Sequence, residues 1–224
     1  MKSSSTLKLL PFLAAFFLLN ASLPTSVMAA SRSNLTVSPF SSPDSTANWV
    51  NDPSVAETGS FALFVSTAPT GYGGVVYHGV EGLTLSQLNH LGFDIEMIST
   101  SGGSPSFAAG APRLSIILSS GVVLYPDPFY CSDLSSAASA TTYVHFDVVA
   151  DGTNCTVFSS LSGTTPVGLW ADVLIEYGIV PISQIIMIQD APNGTFYLGT
   201  ILAGCASVSA PNQNAKFAIP GSCT

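Results

Sequence analysis

Apolar and polar positions alternate with a period of two along much of this chain. In Gly59–Thr67 the apolar set is Phe61, Leu63 and Val65. Further on, Phe93, Ile95 and Met97 alternate with Asp94 and Glu96, and Val144, Phe146 and Val148 alternate with Tyr143, His145 and Asp147. That period belongs to strands with one buried face. Runs at Val75–His78, Leu114–Leu118, Gly121–Leu124, Thr153–Ser160, Ile182–Gln189 and Thr195–Ala203 have strand length and lie between turn signals. The glycine-rich tip Thr70–Gly74 predicts a hairpin between the strands that flank it, and Asn193-Gly194 predicts another. The strands on either side of the loop around Gly102–Pro105 are expected to seed one sheet.

Helical spacing is rare. Leu85, Leu88 and Leu91 predict a short helical turn. Leu169–Tyr177 predicts a helix with Trp170, Val173, Leu174 and Tyr177 on one face, and Gly178 is placed at a left-handed stop. Pro126 and Pro128 remove backbone donors, so Tyr125–Cys131 is expected to be a rigid loop rather than a central strand. About ten short strands with regular turn signals predict an all-β, two-sheet antiparallel β-sandwich, a jelly roll, with one or two short helices. No repeat or linker divides residues 31–224, so a single domain is expected there.

Residues 1–30 read differently. Lys2 and Lys8, the apolar run Leu9–Leu19 and the exit Val27-Met28-Ala29-Ala30 have the three parts of a secretory signal, and the run is too short to span a bilayer. A secreted, extracellular product with no membrane span in the mature chain is expected. It keeps three basic residues, Arg32, Arg113 and Lys216, against thirteen acidic ones, a net charge of −10. Such a chain repels phosphate backbones, which excludes nucleic acid as a partner. An oxidising compartment makes disulfides of Cys131, Cys155, Cys205 and Cys223. Of three connectivities, proximity favours Cys131–Cys155 and Cys205–Cys223. Neither a Cys-x-x-Cys nor a neighbouring His points to a metal. Asn34, Asn154 and Asn193 each begin a glycosylation sequon, used only in a eukaryotic host.

The chemistry-bearing residues give three readings. Tyr72 at the predicted hairpin tip, with Tyr125, Asp127, Phe129 and Tyr130 on the proline-stiffened loop, fits a platform for sugar rings; Arg113 adds a hydrogen-bond fork or satisfies a carboxylate. Carbohydrate or an extracellular surface is the expected partner, and no cofactor is expected. A structural or adhesive surface protein is the second reading. The third is a polysaccharide hydrolase or lyase, for which Asp94 and Glu96 share a strand face. His145 with Asp147, approached by His78, is a weaker acid–base set. No Gly-x-Ser-x-Gly is present, and a non-catalytic role is favoured.

A family resemblance runs through roughly Gly59–Ala203. Its residues are Gly59-Ser60 before Leu63, Thr84-Leu85 with Leu88, Phe93-Asp94-Ile95, Gly110-Ala111-Pro112-Arg113-Leu114-Ser115-Ile116, Trp170-Ala171-Asp172-Val173 and Thr195-Phe196-Tyr197-Leu198. Their order resembles secreted jelly-roll carbohydrate-binding modules of galactose-binding-like or concanavalin-like form. The resemblance implies sugar binding without catalysis. Where such hairpins end in Asp, this chain has Gly199. Phe93–Glu96 is also similar to the signature of laminarinase-like glycosidases, with Gly92 at the position of the nucleophilic Glu.

Overall fold

The computed structural model describes residues 35–51, 61–99, 107, 112–131, 143–150, 155–190, 193–204, 206–208 and 217–218. The expected signal segment, Cys205, Cys223, Asn34 and Asn154 lie outside the described residues.

The described strands are β1 (Thr36–Ser41), β2 (Thr46–Asn51), β3 (Phe61–Ser66), β4 (Gly73–His78), β5 (Leu91–Ser99), β6 (Arg113–Leu118) and β7 (Val123–Cys131). They continue with β8 (Val144–Asp147), β9 (Cys155–Ser159), β10 (Pro166–Gly168), β11 (Ile182–Gln189), β12 (Thr195–Ala203), β13 (Ala206–Val208) and β14 (Phe217–Ala218). A 3-10 turn spans Leu85–Gln87, and the helix α1 spans Trp170–Tyr177. The first sheet runs β1-β4-β11-β6-β7-β9-β10. In the second, β14-β13-β12-β3-β2 are neighbours, β5 lies along β12, and β8 lies along β5. All the pairings among the described strands are antiparallel, so the chain is an all-β, two-sheet sandwich of jelly-roll-like form.

Alternation explains the core. Phe93, Ile95, Met97, Phe146, Phe196 and Leu198 from the second sheet meet Val75, Tyr77, Leu114, Ile116, Ile185 and Met187 from the first, all fully buried. The expected helix is present, with Trp170, Val173 and Tyr177 buried and Leu174 partly so. Leu85 and Leu88 anchor the 3-10 turn in the core.

Several connections differ from the sequence reading. β3 and β4 are not a hairpin; they lie in different sheets. Ala68 N donates to Ser45 Oγ at 3.1 Å, Tyr72 N donates to Ser42 Oγ at 3.1 Å, and Ser42 N donates to Tyr72 O at 2.9 Å. These bonds pin the glycine-rich tip to the β1–β2 connection, which lays β4 beside β1. β11 and β12 also lie in different sheets. Asn193 takes the left-handed conformation its dipeptide suggests, with φ 55°. However, Gly194 exchanges bonds with Thr67, which draws β12 onto β3. β5 and β6 likewise belong to different sheets, so they do not seed one sheet together. At the helix end Gly178 is right-handed, φ −55°, not left-handed. A Cβ there would lie 2.3 Å from the Leu174 carbonyl oxygen, so close approach is what calls for glycine.

The two sheets are joined through polar groups as well as apolar ones. Tyr77, fully buried on β4, donates its hydroxyl to Gly92 O on β5 at 3.1 Å. Burial raises the phenol well above its ordinary value of 10.0, and the nearby Asp147 charge adds to the shift. A raised folded-state value means the unfolded chain ionises first, so this contribution is intact below about pH 10 and is lost as pH rises further. Tyr77→Phe should cost about 1 kcal/mol at pH 7 through the lost hydrogen bond. Between pH 10 and 11.5, urea unfolding of the wild type should lose about 1.4 kcal/mol per pH unit more than the variant. Parallel pH profiles for the two proteins would refute this assignment.

Candidate functional site

The expected rigid loop Tyr125–Cys131 is a strand carrying a large bulge. β7 pairs with β6 only at Val123 and Leu124, so Pro126 and Pro128 stand beyond that pairing and cost it no hydrogen bond. On the other side Pro126 pairs with Val157 and Cys131 with Cys155. Thus Asp127–Tyr130 oppose Thr156 alone. Such an insertion bends the strand and re-aims its side chains.

Two groups hold the bulge. The Cys131–Cys155 disulfide ties its end directly across to β9, as proximity favoured. Asp127 is buried, and its Oδ1 accepts from Phe129 N at 2.9 Å. Asp127 is therefore a positioning residue and not part of a ligand-facing platform, which corrects the expectation. The acid sits on the inner side because the bulge reverses the side-chain alternation after Pro126.

Released outward, Phe129 and Tyr130 are 38% and 40% exposed. Their rings meet edge to face, with centroids 5.0 Å apart, and Tyr130 lies 4.8 Å from Phe158 on β9. Phe158 faces outward because its neighbours Val157 and Ser159 face in, and it pairs across the ladder with Tyr125. The Arg113 guanidinium lies 5.6 Å above the Tyr125 ring, a cation–π distance. Arg113 also grips Asp190 with both forks, at 2.6 and 2.7 Å. The result is a strip on the outer face of the first sheet, running Arg113, Tyr125, Phe158, Tyr130, Phe129. No protein-family model, curated protein or solved structure matches the chain. The strip's own chemistry therefore carries the functional argument.

Tyr72 stands apart from it. It is 47% exposed and packs beside Phe40 at 6.3 Å. By register, Gly73 pairs with Gln189 on β11, and Ile188 pairs with Arg113 on β6. Tyr72 thus lies at the same end of the first sheet, two strands from Arg113, about 10 Å at normal strand spacing. Phe158 and Asp190 were missed by sequence reasoning. The signal for Phe158 was its place opposite Tyr125 once Cys131 and Cys155 are bonded; Asp190 carried none, because only the fold brings it to Arg113.

The carboxylate and histidine sets separate into pairs. His145 Nδ1 lies 2.6 Å from Asp94 Oδ1, and His90 Nδ1 lies 2.6 Å from Asp147 Oδ2. His78 bonds Ser38 at 3.0 Å and faces Glu81 at 3.7 Å, so it does not approach His145. Gly92 has no room for a side chain, since a Cβ there would lie 1.8 Å from Phe146 O. A nucleophile at that position is incompatible with this backbone. Among the described residues no group of three His, Cys, Asp or Glu is placed to hold a metal ion. No described helix is long and apolar enough to cross a membrane.

Replacing Cys131 and Cys155 by Ser should lower stability by about 3 kcal/mol in urea, the scale for a loop of 24 residues. The same loss should appear when the wild type is unfolded under reducing conditions. An unchanged midpoint would show that the bulge holds itself without the crosslink.

Proposed function

We propose that the chain is a secreted, non-catalytic β-sandwich that binds carbohydrate through the aromatic strip on its first sheet. The observation that carries this reading is the Tyr125–Phe158–Tyr130–Phe129 array, with Phe129 and Tyr130 exposed and Tyr125 and Phe158 half-buried, edged by the Arg113–Asp190 pair. Sugar rings present a face of C–H groups that packs on aromatic rings, and hydroxyls around their edge that need donors and acceptors. The strip supplies both. Its rings are held by a disulfide and an Asp-bonded bulge, so little side-chain freedom is lost on binding. The jelly-roll resemblance supports the same function, and the N-terminal segment with the disulfide supports secretion.

An adhesive surface protein is the second reading, supported by different residues. Ile175 and Ile179 are both 86% exposed, and Leu161 and Leu169 are exposed near them in sequence. Exposed aliphatics of this size favour self-association.

Secreted wild-type protein and Tyr125→Ala/Tyr130→Ala should be compared on a glycan array, with melting curves and light scattering beside it. The expected result is binding by the wild type that falls at least about tenfold in the variant, with little change in melting temperature. Absence of binding across the array would overturn the carbohydrate reading. Concentration-dependent mass growth, abolished by Ile175→Lys/Ile179→Lys, would then establish the adhesive one.

A further inference from the structure

The outer face of the second sheet carries a different set of side chains. Asn48, Phe64, Tyr197 and Glu96 form one ladder across β2, β3, β12 and β5. Phe64 and Tyr197 are in ring contact, with centroids 5.2 Å apart. One step along β5 on the same face is Asp94, bonded to His145 on β8. Tyr143, just before β8, sends its ring across β5 to β12. There it fills the space left by Gly199, whose Cβ would sit 3.1 Å from the ring. By register that ring passes between the positions of Asp94 and Glu96.

Glu96 is the unusual member. It is 3% exposed, and among the described residues its Oε2 has no hydrogen-bond partner. The indole nitrogens of Trp49 and Trp170 share that state, but each is a neutral donor. A buried carboxylate is far costlier to leave unpaired, and a native protein keeps one where something else supplies the partner.

We propose that this face is a binding site for a primary ammonium group, seated against Glu96 and Asp94. The missing partner has to be a donor, because a carboxylate only accepts. An ammonium brings three donors and also cancels the buried charge, which a neutral hydroxyl does not. The faces of Tyr197, Phe64 and Tyr143 attract a cation as well. At long range, the net charge of −10 expected after signal removal draws cations to the molecule. The site is independent of the strip on the first sheet. Amino-sugar oligomers and aliphatic polyamines both present this group.

The test is calorimetric titration of the full chain with glucosamine trimer, its N-acetylated counterpart and spermidine. Variants are Glu96→Gln, Asp94→Asn and Tyr125→Ala/Tyr130→Ala. In the Tyr125→Ala/Tyr130→Ala background, whose sugar strip is disabled, at least one amine probe should still bind and the acetylated sugar should not; which amine binds identifies the source. In that background affinity for the amine should fall at least about tenfold on adding Glu96→Gln or Asp94→Asn. Glu96→Gln alone should melt at or above the wild-type temperature, because it removes an unpaired buried charge. In the strip-disabled background, absence of binding by both amines, equal binding of the acetylated sugar or unchanged affinity on adding Glu96→Gln would each overturn the proposal, as would a lower melting temperature for Glu96→Gln alone.

Discussion

Asp147 carries its carboxylate into the sandwich at the end of β8, where backbone groups and one ring close around it. Its Oδ1 accepts from Leu91 N at 3.0 Å, Val149 N at 3.1 Å and Ala150 N at 3.2 Å, while Oδ2 meets His90 at 2.6 Å. A fully buried charge is tolerable only when its lone pairs are met this completely. The requirement fixes where the end of β8 lies relative to the start of β5. Gly92 follows from it, because the backbones approach too closely for any Cβ. From the opposite sheet, Tyr77 reaches the Gly92 carbonyl, so the same few residues register the sheets against each other. Once β5 and β8 are aligned, Asp94 falls opposite His145, and the polar outer face of the second sheet is determined.

The first sheet achieves its outer surface by a different route. A regular strand at β7 would alternate its side chains between core and solvent, and two consecutive aromatics would not both face out. The bulge makes that possible. Pro126 and Pro128 suit it because the β6 side of the ladder has already ended, and the disulfide restores register with β9 immediately afterwards. Phe129 and Tyr130 therefore stand together over Phe158, at the cost of one buried Asp127 that the bulge's own backbone satisfies.

Much of this was legible in the chain. Period-two alternation located β3, β5 and β8, the turn signal Asn193-Gly194 with a run of strand length located β12, and Leu169–Tyr177 located the helix because its apolar residues fall on one side. Connections were less legible. Asn193-Gly194 encodes a reversal of direction, but which strand lies beside β12 is settled by Thr67, far away in sequence. The prolines of β7 encode missing donors, and only its neighbours reveal that those donors were not needed. Of the expected site, Arg113, Tyr125, Phe129 and Tyr130 converge; Asp127 turns inward and Tyr72 lies two strands away. The partners Phe158 and Asp190 come from strands that no local pattern links to them.

Scarcity of positive charge gives these observations a common cause. With Arg113 engaged by Asp190, acids elsewhere in the described fold have few cations to meet. They turn instead to backbone amides and histidines: Asp147 to three N–H groups and His90, Asp127 to Phe129 N, Asp172 to Leu169 N, Glu81 to Gly79 N, and Asp94 to His145. Amides come from turns, bulges and strand ends, where N–H groups are not already committed to a ladder. Glu96 lies within β5, paired with Tyr197 of β12 and one residue past the end of the pairing with β8. On that face it is paired with Tyr197, and the Tyr143 ring lies over Gly199. Glu96 Oε2 is the one buried carboxylate oxygen that no donor among the described residues meets.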